Sequence, residues 1–470
     1  MNKADKLFDG ITHVRDDLLE QAEMHVFKTG RRRYRFTVVA VACLLIAAIL
    51  TAALPGQPGG ILAPAVHAMA EPQYPQMTQY PSDLNSPQYD RWRKDVQAQH
   101  RDNDFSGELE GYLRASIPQF LSGREGENAL CSPINVYMAL AMLAETAGGE
   151  SRQQILTLLG SDSIEALRQQ AKDLWNANYR DDGIVKRLLG SSVWLSEDLE
   201  YHQTTLDTLA ENYYAAACSG EMGSEDMNEA LRDWLDTHTG GLLQQQTGGI
   251  TLPEDGVMTL ATTVWFKAAW GSRFVTETGL FHTPQGDVEQ EMLKRTERNT
   301  YYWGDQFSAV GKSFETGKMY FLLPDEGVTP EELLQDEQAL SFVLDRNSLG
   351  DNRRDLEIRM TVPAFDIEDQ MGLADDLKAL GVTDVFDPYA ADFSPLTYEP
   401  AVVSDVTHGT RLKIDKEGCE AVAYTVVAAP GAAPPGAEIE IIDFTVDRPF
   451  LFVLTGANEL PLFVGIVNQP

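Results

Sequence analysis

Cysteine is scarce in this chain: Cys43, Cys131, Cys218 and Cys419 stand far apart among 470 residues and form no CxxC pair. That spacing argues against a disulfide framework and against a structural zinc site. Basic residues are outnumbered as well, 37 Lys and Arg against 71 Asp and Glu, for a formal net charge of -34. So acidic a surface repels nucleic acid and anionic lipid, and neither is expected as a partner. Catalytic signatures are missing too. The sequence holds no GxSxG, no HExxH and no GxGxxG, and the GKS at Gly311 to Ser313 lacks the upstream glycine of a phosphate loop. Its eight histidines are scattered. No catalytic residue, metal or cofactor is therefore expected, and the chain does not read as an enzyme.

What is present begins with an uncharged run, FTVVAVACLLIAAILTAAL, over residues 36–54. It is long enough to cross a bilayer as a helix. RRRYR precedes it and PGQPGG follows it, so residues 1–35 are expected as a cytoplasmic head and the rest of the chain outside. A signal peptide ending at Ala68-Met69-Ala70 is the competing reading, but that motif stands far beyond the apolar run. Either way the body is exported, anchored to the membrane by one helix or secreted if that helix is cleaved. The arrangement is bacterial in style. Residues 55–103, rich in Pro, Gln, Gly and Tyr, predict a tether.

From 104 to 470, helical and strand patterns alternate without a break. INVYMALAMLAETAGGESRQQILTLLG, Ile134 to Gly160, predicts two helices parted at the GG, with further helices at Thr205 to Ala216, Met227 to His238 and Leu373 to Leu380. TLATTVWFKAAW, KMYFLLPD, LEIRMTVPAF, GTRLKID and RPFLFVLTG read as strands. Helices gather early and strands late, which predicts an α+β class with large, mostly antiparallel sheets.

Several of these segments together resemble the serpin family over residues 104–470. NALCSPINVYMALAMLAETAGGESRQQIL is similar to its early helices, and TTVWFKAAWGSRF to its signature central strand. FLLPDEG, ADFSPLT, THGTRLKIDKEGCEAVAYT and DRPFLFVLTGANELPLFVGIVNQP follow in family order. The resemblance implies a single serpin domain with an exposed reactive-centre loop, monomeric, that inhibits serine proteases. Gly418 matches the loop's hinge glycine, flanked by Glu417, Cys419 and Glu420. Ser132, Asn135, Thr262 and His408 match a buried polar cluster behind the main sheet, where the family more often has Ser for Asn135 and Asn for Thr262. The exchange is expected to rebuild the same hydrogen bonds with the amide on the other side. Trp270 matches the tryptophan near the loop's entry into the sheet.

In that family the loop is bait, and once cut its N-terminal part joins the main sheet as a strand. The residues here suit such a move. In a strand Cys419, Ala421, Ala423 and Thr425 share one face, small and uncharged, while Glu420, Val422, Tyr424 and Val426 share the other. Tyr424 is the largest of these and is expected to slow insertion. A mere surface linker would not need this segregation. Family register from Gly418 puts the cleaved bond at Ala432-Ala433, while counting back from Phe444 gives a point near Pro435-Gly436. No Lys or Arg lies between Lys416 and Arg448, so the expected partner is a serine protease with a small specificity pocket, elastase-like first and subtilisin-like second. The expected mechanism is trapping of the acyl-enzyme by loop insertion; the alternative is a non-inhibitory serpin that acts as a binding module or is simply a substrate.

Overall fold

A computed structural model describes residues 65–81, 86–102, 107–241, 250–314, 316–419 and 440–470. The cytoplasmic head and the membrane span expected over residues 1–54 lie outside that set. Among the described residues no helix is long and apolar enough to cross a membrane.

The helix pair expected at Ile134 to Gly160 forms as Pro133–Thr146 and Gly149–Leu159. The break is chemical: Gly149 has a positive φ, and a side chain at Gly148 would meet the Asp392 carboxylate. Pro133–Thr146 is buried on every side, which explains why its apolar residues are not confined to one stripe. Thr205 to Ala216 is only partly a helix. It spans Gln203–Asn212, and the small residues that follow pair instead as the strand Ala215–Gly220.

Two large sheets carry the rest. The eight-stranded sheet runs in the order His67–Ala70, Ala215–Gly220, Lys186–Ser196, Met258–Ala269, Gly418–Cys419, Val403–Ile414, Phe365–Gly372, with Arg180–Asp181 paired to Lys186–Ser196. The nine-stranded sheet is built largely from the strands expected late in the chain, among them Lys318–Pro324, Arg353–Pro363 and Phe450–Thr455. Both are mostly antiparallel. An exception lies at the centre of the first sheet, where Met258–Ala269 and Val403–Ile414 pair in parallel. Even-numbered residues of the former, such as Leu260, Val264 and Phe266, face the main core, while Ala261 faces the helix Glu225–Thr239 that crosses the outer side.

The tether expected over 55–103 needs correction, because part of it is folded. His67–Ala70 pairs antiparallel with Ala215–Gly220 and adds the outermost strand of the sheet. Tyr74 stacks on Trp175 at 5.5 Å and on Tyr179 at 6.0 Å, and Pro87–Asp102 is a helix whose Trp92 meets Tyr80 edge-on at 4.8 Å. Its tyrosines bury more surface each than most residues can, so a few of them order a segment whose composition reads as loose. The folded part therefore includes described residues well before 104.

Candidate functional site

The two central strands are in register with each other only along part of their length. From Val403 to Gly409 one strand pairs with Met258 to Thr263 of the other. Beyond Gly409 they part. At the far end the gap is held by two residues of a third strand: Gly418 lies against Ala269, and Cys419 lies between Ala268 and Ile414. Cys419 is buried in the core, its Sγ 3.4 Å from the Phe266 carbonyl oxygen. Between these ends, Val264 to Lys267 and Thr410 to Lys413 carry no ladder pairing to each other. The sheet is thus zipped at one end and wedged open at the other.

The open end is a built mouth. Asp415 to Gly418 form a tight turn, in which the Asp415 carboxylate accepts from the backbone N–H of Glu417 at 2.7 Å and of Gly418 at 3.2 Å. Trp270 holds this turn twice: its Nε1–H donates to the Asp415 carbonyl at 2.7 Å, and its backbone N–H to the Glu417 carbonyl at 3.0 Å. The indole is itself fixed by stacking on Phe314 at 3.9 Å. Arg273 adds an ion pair to Glu417 at 2.9 Å. Behind it sits a pair that sequence reasoning missed. Lys312, the lysine of the GKS that makes no phosphate loop, is buried and bonds both carboxylate oxygens of Glu297 at 2.8 Å and Ser272 Oγ at 2.5 Å. A lysine on the same strand face as Val310 and Phe314 is the signal the sequence offers.

At the zipped end, His408 and Thr262 are direct partners across the parallel strands. The Ser132 backbone N–H donates to His408 Nε2 at 3.1 Å, which leaves the ring proton on Nδ1 to donate to Thr262 Oγ1 at 3.0 Å. Ser132, Asn135, Thr262 and His408 are therefore brought together as expected, but one detail is corrected. The Asn135 amide makes no hydrogen bond among the described residues, and neither does the Ser132 hydroxyl. The backbone of Ser132, at the start of Pro133–Thr146, supplies the bond expected from a side chain.

Burial drives the His408 pKa down from 6.5 to about 3. An unfolded chain titrates near 6.5, so between there and pH 3 it binds a proton that the folded chain refuses. Stability is then complete above pH 6.5 and declines as the pH falls toward 3. His238, lowered by burial to about 4, adds to the same slope. Thermal melts from pH 7 to pH 4 should show the fall. The His408→Gln variant should start lower at pH 7 and lose less on acidification, and an equal slope for both proteins would refute the assignment to His408.

Glu420, Ala421, Val422, Ala423, Tyr424, Thr425 and the bond Ala432-Ala433 lie outside the described residues. Among the described residues no cluster suited to a metal ion occurs, and no disulfide joins Cys131, Cys218 and Cys419.

The family described as Serpin (serine protease inhibitor) matches residues 116–470. The chain belongs to the serpin family. Among curated serpins, Serpin-ZX of Arabidopsis thaliana is 25% identical over 377 residues, covering 74% of this chain and 93% of that protein. Alpha-1-antiproteinase 2 of Equus caballus is 27% identical over 358 residues, covering 73% of this chain and 82% of that protein. Among solved serpin structures, thermophilic tengpin in its native state has a TM-score of 0.67 at 24% identity, covering 77% of this chain and 93% of that one. Human thyroxine-binding globulin, solved as a complex, has a TM-score of 0.66 at 18% identity, covering 77% and 98%. The expected serpin fold of α+β class is the fold observed, and serpins of this kind include protease inhibitors.

Proposed function

We propose that this serpin is a suicide-substrate inhibitor of serine proteases with a small specificity pocket, elastase-like first and subtilisin-like second. The observation that carries the reading is the seat of Gly418 and Cys419 between the two central strands. Their register supports a place for each later residue of the loop on insertion. Continued along both strands, it sets Ala421 between Phe266 and Leu412, Ala423 between Val264 and Thr410, and Thr425 between Thr262 and His408. Those three neighbour pairs are buried, and the small side chains suit them. Glu420, on the other face, falls between Lys267 and Lys413.

The same register gives the polar cluster its role. Thr262 and His408 close the sheet, and Thr425 is the residue that would part them. A hydroxyl arriving there offers both groups a new partner, so the sheet opens without stranding a buried polar atom. The protease serine attacks the Ala432 carbonyl, the Ala432-Ala433 peptide bond breaks with the Ala433 amine leaving as it takes up the serine's proton, and insertion then competes with hydrolysis of the acyl-enzyme by water. The body is exported, either anchored by residues 36–54 or released, and it acts as a monomer.

A second reading, a non-inhibitory binding module, draws on the likeness in fold to thyroxine-binding globulin, a protein solved with a small molecule bound. Mixing the purified chain with pancreatic elastase and running a denaturing gel separates the two. An adduct that survives denaturant, together with a small fragment whose first residue is Ala433, is the expected result. Clean cleavage with no adduct would favour the binding module and sink the inhibitor.

A further inference from the structure

We propose that the cavity beneath the helix Glu225–Thr239 receives the side chain of Tyr424 when the loop enters the sheet. The proposal rests on loop insertion and adds a destination for the one loop residue that looked too large for it. A cavity of about 230 Å³ lies between this helix and the outer face of the sheet. Leu231, Leu235 and Leu252 form its roof, and Ala261, Thr407 and Gly409 its floor. A cavity of roughly 150 Å³ already admits benzene, so a phenol ring fits.

The register fixes which residue arrives. Cys419 faces the main core, so 420, 422, 424 and 426 face the helix side. Tyr424 falls between Thr263 and Gly409, and Val426 between Ala261 and Thr407. Three of those four residues line the cavity, and Gly409 has no side chain to compete with the ring. The incoming strand replaces the floor and leaves the roof in place. Val422, one step earlier on this face, falls between Trp265 and Arg411, neither of which lines the cavity.

The polar atoms point the same way. Thr259 Oγ1, on the cavity wall, is buried and has no hydrogen-bond partner among the described residues. Thr263 Oγ1, beside the place assigned to Tyr424, is buried and lacks one too. Buried hydroxyls are ordinarily paired. A phenol at 424 brings both a donor and an acceptor to the Thr263 hydroxyl, which an aliphatic side chain of equal bulk does not. Tyr424 is therefore a latch for the inserted strand, and the cavity is its keeper.

The test compares melting of uncut and elastase-cut protein for the wild type, Tyr424→Ala, Tyr424→Phe, Leu235→Trp and the double variant. Tyr424→Ala should leave the uncut Tm unchanged and reduce the gain on cutting by about 5 °C, with Tyr424→Phe in between. Leu235→Trp, which fills the cavity, should reduce the gain when Tyr424 is present and have no further effect in the Tyr424→Ala background. An equal gain for wild type and Tyr424→Ala overturns the proposal while leaving insertion intact. No gain in the wild type overturns insertion, and this proposal with it. If Leu235→Trp does not fold, the Tyr424 series decides alone, because equal uncut Tm values across that series show directly that the uncut body is unaffected.

Discussion

Cutting the loop at Ala432-Ala433 should raise the melting temperature by more than about 10 °C, a change worth several kcal/mol in a domain of this size. The expectation comes from the middle of the first sheet. Val264 to Lys267 and Thr410 to Lys413 face each other across a gap with no ladder pairing between them, although both belong to central strands. Strand edges of this kind normally occur only at the border of a sheet, where water or a covering element satisfies them. An uncut loop is tethered at both ends, by the turn at Asp415 to Gly418 and by the strand Ile441–Thr445 in the other sheet, so it cannot thread into the gap. One broken bond removes the second tether. On the proposed mechanism the strand would then gain partners on both sides, the core would gain Ala421 and Ala423, and the chain would be released from a kinetic trap. Equal melting of cut and uncut protein would rule out a metastable uncut state and the mechanism built on it.

How much of the molecule is legible in its sequence differs from element to element, for physical reasons. The β-branched and aromatic run at Met258–Ala269 reads as a buried strand because both its faces are covered, and the helical spacing of Glu225–Thr239 is legible because that helix buries one face. The loop hinge is an expectation drawn from the alternation of small and large side chains after Gly418, of which the described residues include only Gly418 and Cys419. The folded part of 55–103 is not, since its order comes from a few aromatic contacts made with partners about a hundred residues away, such as Tyr74 with Trp175. Pattern reading sees neighbours along the chain. It also assigns the bond at His408 to a side chain, whereas the donor is the Ser132 backbone, a group every residue carries and no sequence position advertises. Asp415 escapes notice for a related reason, because a turn carboxylate matters through the N–H groups it faces and not through its own spacing.

Placing one arginine on either face of the loop should give opposite outcomes, and Ala421→Arg against Val422→Arg is the sharpest such pair. Residue 421 is assigned to the space between Phe266 and Leu412, both buried in the main core. A guanidinium set between these two buried apolar side chains loses its water, which costs at least about 3 kcal/mol. That slows insertion roughly a hundredfold, at 1.4 kcal/mol per factor of ten. Hydrolysis of the acyl-enzyme then wins the race, and Ala421→Arg should behave as a plain elastase substrate with no stable adduct. Residue 422 is assigned to the outer face, between Trp265 and Arg411, where both neighbours are partly exposed. An arginine there keeps its hydration, so Val422→Arg should still trap protease, with a stoichiometry within about threefold of wild type. Two adjacent substitutions of the same charge and size separate only if the face alternation set by Cys419 governs entry. Equal trapping by both variants, or loss of trapping in Val422→Arg alone, would show that the loop enters in another register or does not enter.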